Sequence, residues 1–272
     1  MIGKLVRESQ TVARLRAAGY EVISYSSVYR GTSMPEADRY IVLTGGMSEF
    51  ERVFWSMVIL PFRGLPLVAE VPGLDPYEDH ATRITGTLDH LPTTRESGAP
   101  VFVFDAEGEP VRPDYSFRYA DADMLVPEYL SREEYIDGYV AQLQYFNRRL
   151  LETVREIQAA SPDPCIIVIQ SDHGARLQLQ WEDPDPEAMV EAFAILNAYQ
   201  VPAEIEAQIY DEISPVNTFR LILNYCLGLQ MPLLDDRSFF STWSRPYDFV
   251  DVTGLARGDD DPPTHARLTQ SD

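Results

Sequence analysis

Asp172 and His173 stand side by side in the tetrapeptide Ser171-Asp172-His173-Gly174, directly after the apolar run Cys165 to Gln170. A carboxylate offers a hard anionic oxygen and a neutral imidazole offers a nitrogen. Zn²⁺ and Mn²⁺ accept that mixture of donors. Gly174 removes a side chain where the chain must turn away and let a substrate approach. The same two residues could instead cap the segment that follows, and the tetrapeptide by itself leaves both readings open. Arg176, three residues after His173, is the candidate for contact with an anionic substrate. Arg148 could also attract an anion, but a solvated charge on a helix accounts for it as well. Asp183 and Asp185, near Trp181, are read as loop-shaping residues. His80 and His90 are read as loop or surface histidines and His265 as a solvated residue of a polar tail. Thr32, Ser33 and Thr44 are small hydroxyl residues without a motif around them.

The elements that must carry these residues follow from periodicity. Leu5, Val12 and Leu15 share one helical face, and Gly19 can end that helix. Glu21 to Tyr25 alternates and reads as a strand. A second helix is expected over Ser48 to Leu60, stopped by Pro61. Residues 65–100, rich in Pro, Gly, Thr and Asp, read as loops with short elements. Val101 to Phe104 is a short strand, followed by the turn-like Asp105-Ala106-Glu107-Gly108. A long helix is predicted from about Arg132 to Ala159. Ser131 and Glu134 stand in the capping-box arrangement, and Ile136, Val140, Leu143, Leu150, Val154 and Ile157 form an apolar stripe. Cys165 to Gln170 then reads as a strand covered on both faces. Pro186 to Phe193 reads as a helical turn or two and Ala194 to Val201 as a strand. A helix starts at Ser214-Pro215 and ends at Gly228. A helix followed by a buried strand signals an αβ layered fold, in which ligands gather at the carboxyl ends of strands. The Asp172–His173 pair is at such an end.

Composition narrows the function classes. The chain has 272 residues, 45% of them hydrophobic, enough for one substantial core. With 43 acidic and 22 basic residues the formal charge is −21, which disfavours nucleic acid as a partner. A bound divalent ion can still reverse the local sign at one site. Cys165 and Cys226 do not make a disulfide scaffold and read as small hydrophobes. The longest apolar stretch, Val53 to Phe62, is too short to span a bilayer, and MIGKLVRESQ lacks the features of a signal peptide.

The run IIVIQSDHG, the long helix before it and WEDP at 181–184 resemble the alkaline phosphatase superfamily. The similarity is to its sulfatase-like and lipoteichoic-acid-synthase-like membrane hydrolases and transferases. GYEVISYSS at 19–27, YVAQLQYFNRRLLETV at 139–154, ILNAYQVP at 195–202, SPVNTFRLILNYCLG at 214–228 and PLLDDRSFFSTWSRPYDFVDVT at 232–253 are similar in type to family segments. The resemblance implies a three-layer αβα sandwich with a mostly parallel sheet, incomplete at its N-terminal side. It would occupy residues 1–253, with 254–272 as a polar, unstructured tail. It further implies that Asp172 and His173 bind a divalent metal (Mn, Zn, Mg or Ca). The substrate would be a small-molecule or lipid-linked phosphate or sulfate ester, attacked by a Thr, Ser or modified Cys. Complete relatives would sit in the cytoplasmic membrane with the catalytic domain outside it.

Two departures from the family pattern stand out. Residue 1 falls after the family's nucleophile segment, so the chain reads as a C-terminal portion. The stretch VFVFDAEG at 101–108 looks as if a histidine-bearing segment has been lost around Phe102–Phe104. The alternative expectation is therefore a non-catalytic remnant of the family.

Overall fold

The computed structural model describes residues 9–26, 34–43, 84–96, 99–104, 132–161, 165–176, 179–258 and 264–265. The expected helix at Ser48–Leu60, the turn at 105–108, the Ser131 cap, His80, Thr32, Ser33 and Thr44 lie outside them. The fold mixes helices and strands in two compact units, Met1–Pro162 and Asp163–Asp272.

In the first unit, α1 (Gln10–Ala17) buries Val12 and Leu15, and Gly19 at φ +88° turns the chain into β1 (Glu21–Tyr25). β1 is the middle strand of a parallel sheet in the order β2-β1-β3, with β2 at Arg39–Ile41 and β3 at Val101–Phe104. Val22, Ile23, Ser24 and Tyr25 are all buried, as a strand covered on both faces requires. β2 is too short to carry a periodic pattern. It is located instead by Asp38, whose carboxylate accepts from the Val22 amide at 2.9 Å and from Arg16 Nε at 3.0 Å. Those bonds hold the Asp38 carboxyl below its ordinary value, the Val22 amide contributing most and outweighing desolvation.

Residues 84–90 form a helix, α2, continued by a 3₁₀ turn at Leu91–Thr93. The loop-like composition around them hides the helical spacing of the buried Ile84, Thr87 and Leu88. The long helix α3 (Arg132–Ala160) lies against this segment. Its deepest described side chain is Thr153, bonded to Leu88 O at 3.2 Å, while Val140 of the apolar stripe is exposed. Arg149 pairs with Asp89 across the same contact.

In the second unit, β4 (Ile167–Gln170) pairs with β5 (Asn197–Gln200), and the pairing is antiparallel. The residues of β4 are half-buried and not fully enclosed. Ile166 and Val168 pack on a core of Ile205, Ile213, Leu221 and Ile222, joined by Val201, Ile209 and Cys226. α4 (Pro186–Phe193) lies between the two strands in sequence, and the short α5 (Ala203–Glu206) follows β5. α6 (Pro215–Leu227) starts on Ser214, whose Oγ accepts from the Asn217 amide, and ends at Gly228 with φ +63°. The remaining chain forms β6 (Phe239–Phe240), β7 (Val250–Asp251), α7 (Thr253–Arg257) and β8 (Thr264–His265). The three strands pair antiparallel in the order β6-β7-β8. The tail expected to be unstructured from Gly254 onward therefore begins as a helix and returns to pair with β7. Asp251 anchors that helix by accepting from the Thr253 amide at 3.0 Å and hydroxyl at 2.6 Å.

Candidate metal and anion site

The site grows out of the carboxyl end of β4. Gln170 Nε2 donates to Asn197 Oδ1 at 2.9 Å, directly across the strand pair. Ser171 extends the pairing: its amide donates to Leu196 O at 3.0 Å and its hydroxyl accepts from the Leu196 amide at 2.8 Å. Ser171 therefore fixes the point at which the chain leaves the strand.

Gly174 fixes the other end of the turn. It is buried, and its amide donates to Ala192 O in the last turn of α4 at 2.8 Å. A Cβ on this residue would stand 2.0 Å from Glu191 O and 2.8 Å from Ala194 O. The glycine is thus required by close approach to the carbonyls at the end of α4. Access for a substrate, the reason inferred from sequence, is not the constraint seen here.

Between these anchors, Asp172 points outward with 89% of its side chain exposed, and His173 is 31% exposed. His173 Nδ1 is 2.8 Å from Gly174 O. A carbonyl oxygen only accepts, so Nδ1 carries the proton and the Nε2 lone pair is left free in the neutral ring. Nε2 lies 3.7 Å from Asp172 Oδ1. That separation is less than twice a metal–ligand bond of about 2.1 Å, so both atoms can reach one ion. A backbone carbonyl on the far ring nitrogen is also the usual support of a metal-binding histidine. The donor chemistry and spacing therefore fit a divalent cation. Among the described residues no group of three or more His, Cys, Asp or Glu side chains completes a ligand set.

Arg176 lies beyond this turn with its guanidinium 5.7 Å from the ring centre of Trp181, a cation–π contact worth roughly 0.5–2 kcal/mol. Trp181 in turn contacts Phe240 at 6.0 Å and Trp243 at 5.3 Å between ring centres. Glu182 fastens the two loops together. Its carboxylate accepts from the Ser244 hydroxyl at 2.5 Å and the Ser244 amide at 3.0 Å, which holds its pKa below the ordinary value. Asp185 caps α4 by accepting from the Ala188 amide at 2.7 Å, the loop-shaping part assigned to it from sequence.

Several polar residues that organise this unit were not singled out from the sequence. Asn217, fully buried, donates to Leu234 O at 2.8 Å and accepts from the Leu234 amide at 2.9 Å. Asn224, two turns on, does the same with Met231, both bonds being 2.9 Å. The pair binds the 231–234 segment to α6 as a neighbouring strand would. Asp236 accepts from the Ser214 amide and from Asn217 Nδ2, each at 2.8 Å, and from the Tyr210 hydroxyl. Burial alone would raise the Asp236 pKa, but the Ser214, Tyr210 and Asn217 hydrogen bonds outweigh it and the net shift is downward. The same bond to Asp236, followed by burial, raises Tyr210. In the first unit His90 is more than a loop or surface histidine. It ends α2 half-buried, with Nδ1 2.7 Å from the hydroxyl of buried Tyr25, which also meets Thr94 Oγ1 at 2.5 Å.

Neither cysteine is in a disulfide. Cys226 packs against the apolar core, and Cys165 precedes β4 with its carbonyl accepting from Gln200 Nε2 at 3.1 Å. Among the described residues no helix is long and apolar enough to cross a membrane. Compared with known proteins, the chain matches no family model, no curated protein and no solved structure.

Proposed function

We propose that this α/β chain is a sulfatase-like, metal-dependent hydrolase or transferase of phosphate or sulfate esters, with Asp172 and His173 as metal ligands. The observation that carries the reading is the state of the pair. His173 is held through Nδ1 by a backbone carbonyl, and its free Nε2 faces the Asp172 carboxylate at 3.7 Å. The placement of the pair after a strand, and the resemblance of IIVIQSDHG to the alkaline phosphatase superfamily, support the same reading. The full fold proposed is the three-layer αβα sandwich of that superfamily. Its parallel core would include β2-β1-β3, and β1 is buried in the manner of an interior strand.

When bound, a divalent ion would supply Lewis-acid stabilisation of the negative oxygens on a transferring phosphoryl or sulfuryl group. The protein's own part is positional. Ser171 and Gly174 lock the turn at both ends, and the Gly174 carbonyl selects the His173 tautomer that can bind a cation. Asp172, largely exposed, contributes charge at the mouth of the site. Small-molecule or lipid-linked esters are the substrate class this chemistry suits.

The test is metal content. Full-length protein equilibrated with Mn²⁺ or Zn²⁺, then desalted, should retain stoichiometric metal by elemental analysis. His173→Ala and Asp172→Ala should each lose it, and both should keep the parent's circular dichroism. A parent that retains no metal, or a His173→Ala variant that retains it fully, would overturn the proposal. Metal retention without turnover of any aryl phosphate or aryl sulfate would point to the non-catalytic remnant.

A further inference from the structure

Arg176, like Arg148 over Tyr145, is set over an aromatic ring and pairs with no carboxylate among the described residues. Arg16, Arg39, Arg149, Arg237, Arg245 and Arg257 each pair with a carboxylate. Arg176 is half-buried, and among the described residues its side chain's only polar or ring contact is the face of Trp181. An arginine held by an aromatic ring keeps all five N–H donors available for an oxyanion. The ring that holds it is braced in turn. Trp181 meets Phe240 and Trp243, and Glu182 ties the 181–182 turn to Ser244. Trp243 nevertheless leaves 60% of its surface in solvent, next to the tryptophan that carries the arginine. A free cation and a solvent-facing indole, joined through one buttressed ring, form a two-part surface. One part suits an anion and the other a flat apolar group.

We propose that Arg176 receives the tetrahedral oxyanion of the substrate and that Trp243 receives a planar organic group esterified to it. The preferred ligands would then be aryl or similarly flat monoesters over the bare anion. This rests on the function proposed above, because it assigns Arg176 and Trp243 to the substrate of the same site. It concerns recognition only and invokes no bond-making step. Trp181 is a positioning residue on this account, acting through Arg176.

The experiment titrates the full chain, with and without Mn²⁺, using phenyl phosphate and inorganic phosphate, and follows tryptophan emission and binding heat. Phenyl phosphate should bind at least tenfold more tightly than inorganic phosphate. Arg176→Gln should weaken both ligands at least tenfold. Trp243→Ala should bring phenyl phosphate to within about threefold of inorganic phosphate while leaving the latter unchanged, with binding then read from the heat. Arg176→Lys should recover part of the affinity of Arg176→Gln, which a purely structural role would not predict. Retained metal and the unfolding midpoint are measured on every variant. If Arg176→Gln binds phenyl phosphate as the parent does, or if Trp243→Ala weakens both ligands equally, this assignment falls while metal binding still stands. If the parent retains no metal but captures phenyl phosphate through Arg176, the metal reading falls and this one stands.

Discussion

Gly174→Ala is the substitution whose consequence the structure determines most directly. The added methyl would sit 2.0 Å from Glu191 O and 2.8 Å from Ala194 O, both main-chain atoms at the end of α4. A carbon and a carbonyl oxygen settle at about 3.3 Å, so backbone must move by roughly 1.3 Å on one side or the other. That movement would strain the 2.8 Å bond from the Gly174 amide to Ala192 O. Overpacking against rigid neighbours costs about 1–3 kcal/mol, and the lost hydrogen bond adds about 1 kcal/mol. The expected loss is therefore about 3 kcal/mol. In urea, with a slope near 2 kcal/mol per molar, the midpoint should fall by about 1.5 M. With Trp55 replaced by Phe, emission from Trp181 and Trp243 reports the transition of the unit concerned. Gly228→Ala is the matching control. Nothing lies within 4 Å of its Cβ position, and the strain comes only from φ +63°. It should cost about 1 kcal/mol. A Gly174→Ala midpoint equal to or higher than that of Gly228→Ala would refute the close-approach argument. Metal retention gives a second readout, since a displacement of this size moves the His173 partner carbonyl.

Three further outcomes are expected. Asn217→Ala strands the Leu234 amide and carbonyl and one contact to Asp236, so urea unfolding should show a loss of about 3 kcal/mol. A loss under 1 kcal/mol would show that the 231–236 segment holds without it. Tyr25→Phe removes the hydroxyl shared by His90 and Thr94 and should cost about 1–2 kcal/mol, with a change in the His90 ring resonances by NMR. Unaltered resonances would exclude the contact. The second unit should also show a bounded pH range of stability. Glu182 and Asp236 have lowered pKa values, so their stabilisation is present above the ordinary carboxylate range and is lost as pH falls through the folded values. Tyr210 is raised from 10.0, so its share is complete below that pH and is lost as pH rises through the higher folded value. Thermal midpoints of the parent against Asp236→Asn should converge at acid pH, and a constant gap would contradict this.

How much of this was legible in the sequence depended on the range of the interaction involved. α3, α6 and β1 were readable because their apolar spacing, Ser214-Pro215 start and Gly19 and Gly228 ends are local signals. β2 and α2 were not. Three residues carry no period, and the helical turns of 84–90 are masked by the Pro- and Thr-rich composition around them. β4 was found as a strand, but its antiparallel partner and half-exposed faces were not. An apolar run reports a strand without reporting its neighbours' direction. Among the candidate site residues, Asp172, His173 and Arg176 were nominated by type and spacing. What holds them was hidden: Trp243 and Ser244 arrive from more than 60 positions away in sequence. Asn217 and Asn224 look like indifferent helix residues until the 231–234 segment lies beside them.

Gly174 was legible as important and illegible as to why. Its amide reaches α4, its missing side chain lets α4 approach, and its carbonyl holds the His173 ring. One residue thereby couples the end of a helix to the tautomer and orientation of the adjacent imidazole. A histidine free to flip would present Nδ1 or Nε2 to a cation with comparable ease. Here the choice of tautomer is made by main-chain geometry, and the exposed Asp172 carboxylate stands 3.7 Å from Nε2. If the proposed cation binds there, any change that moves α4 relative to β4 should therefore alter its affinity without touching Asp172 or His173. The packing of Ala188 and Met189, both buried on α4, supports the proposed site as much as Asp172 and His173 do.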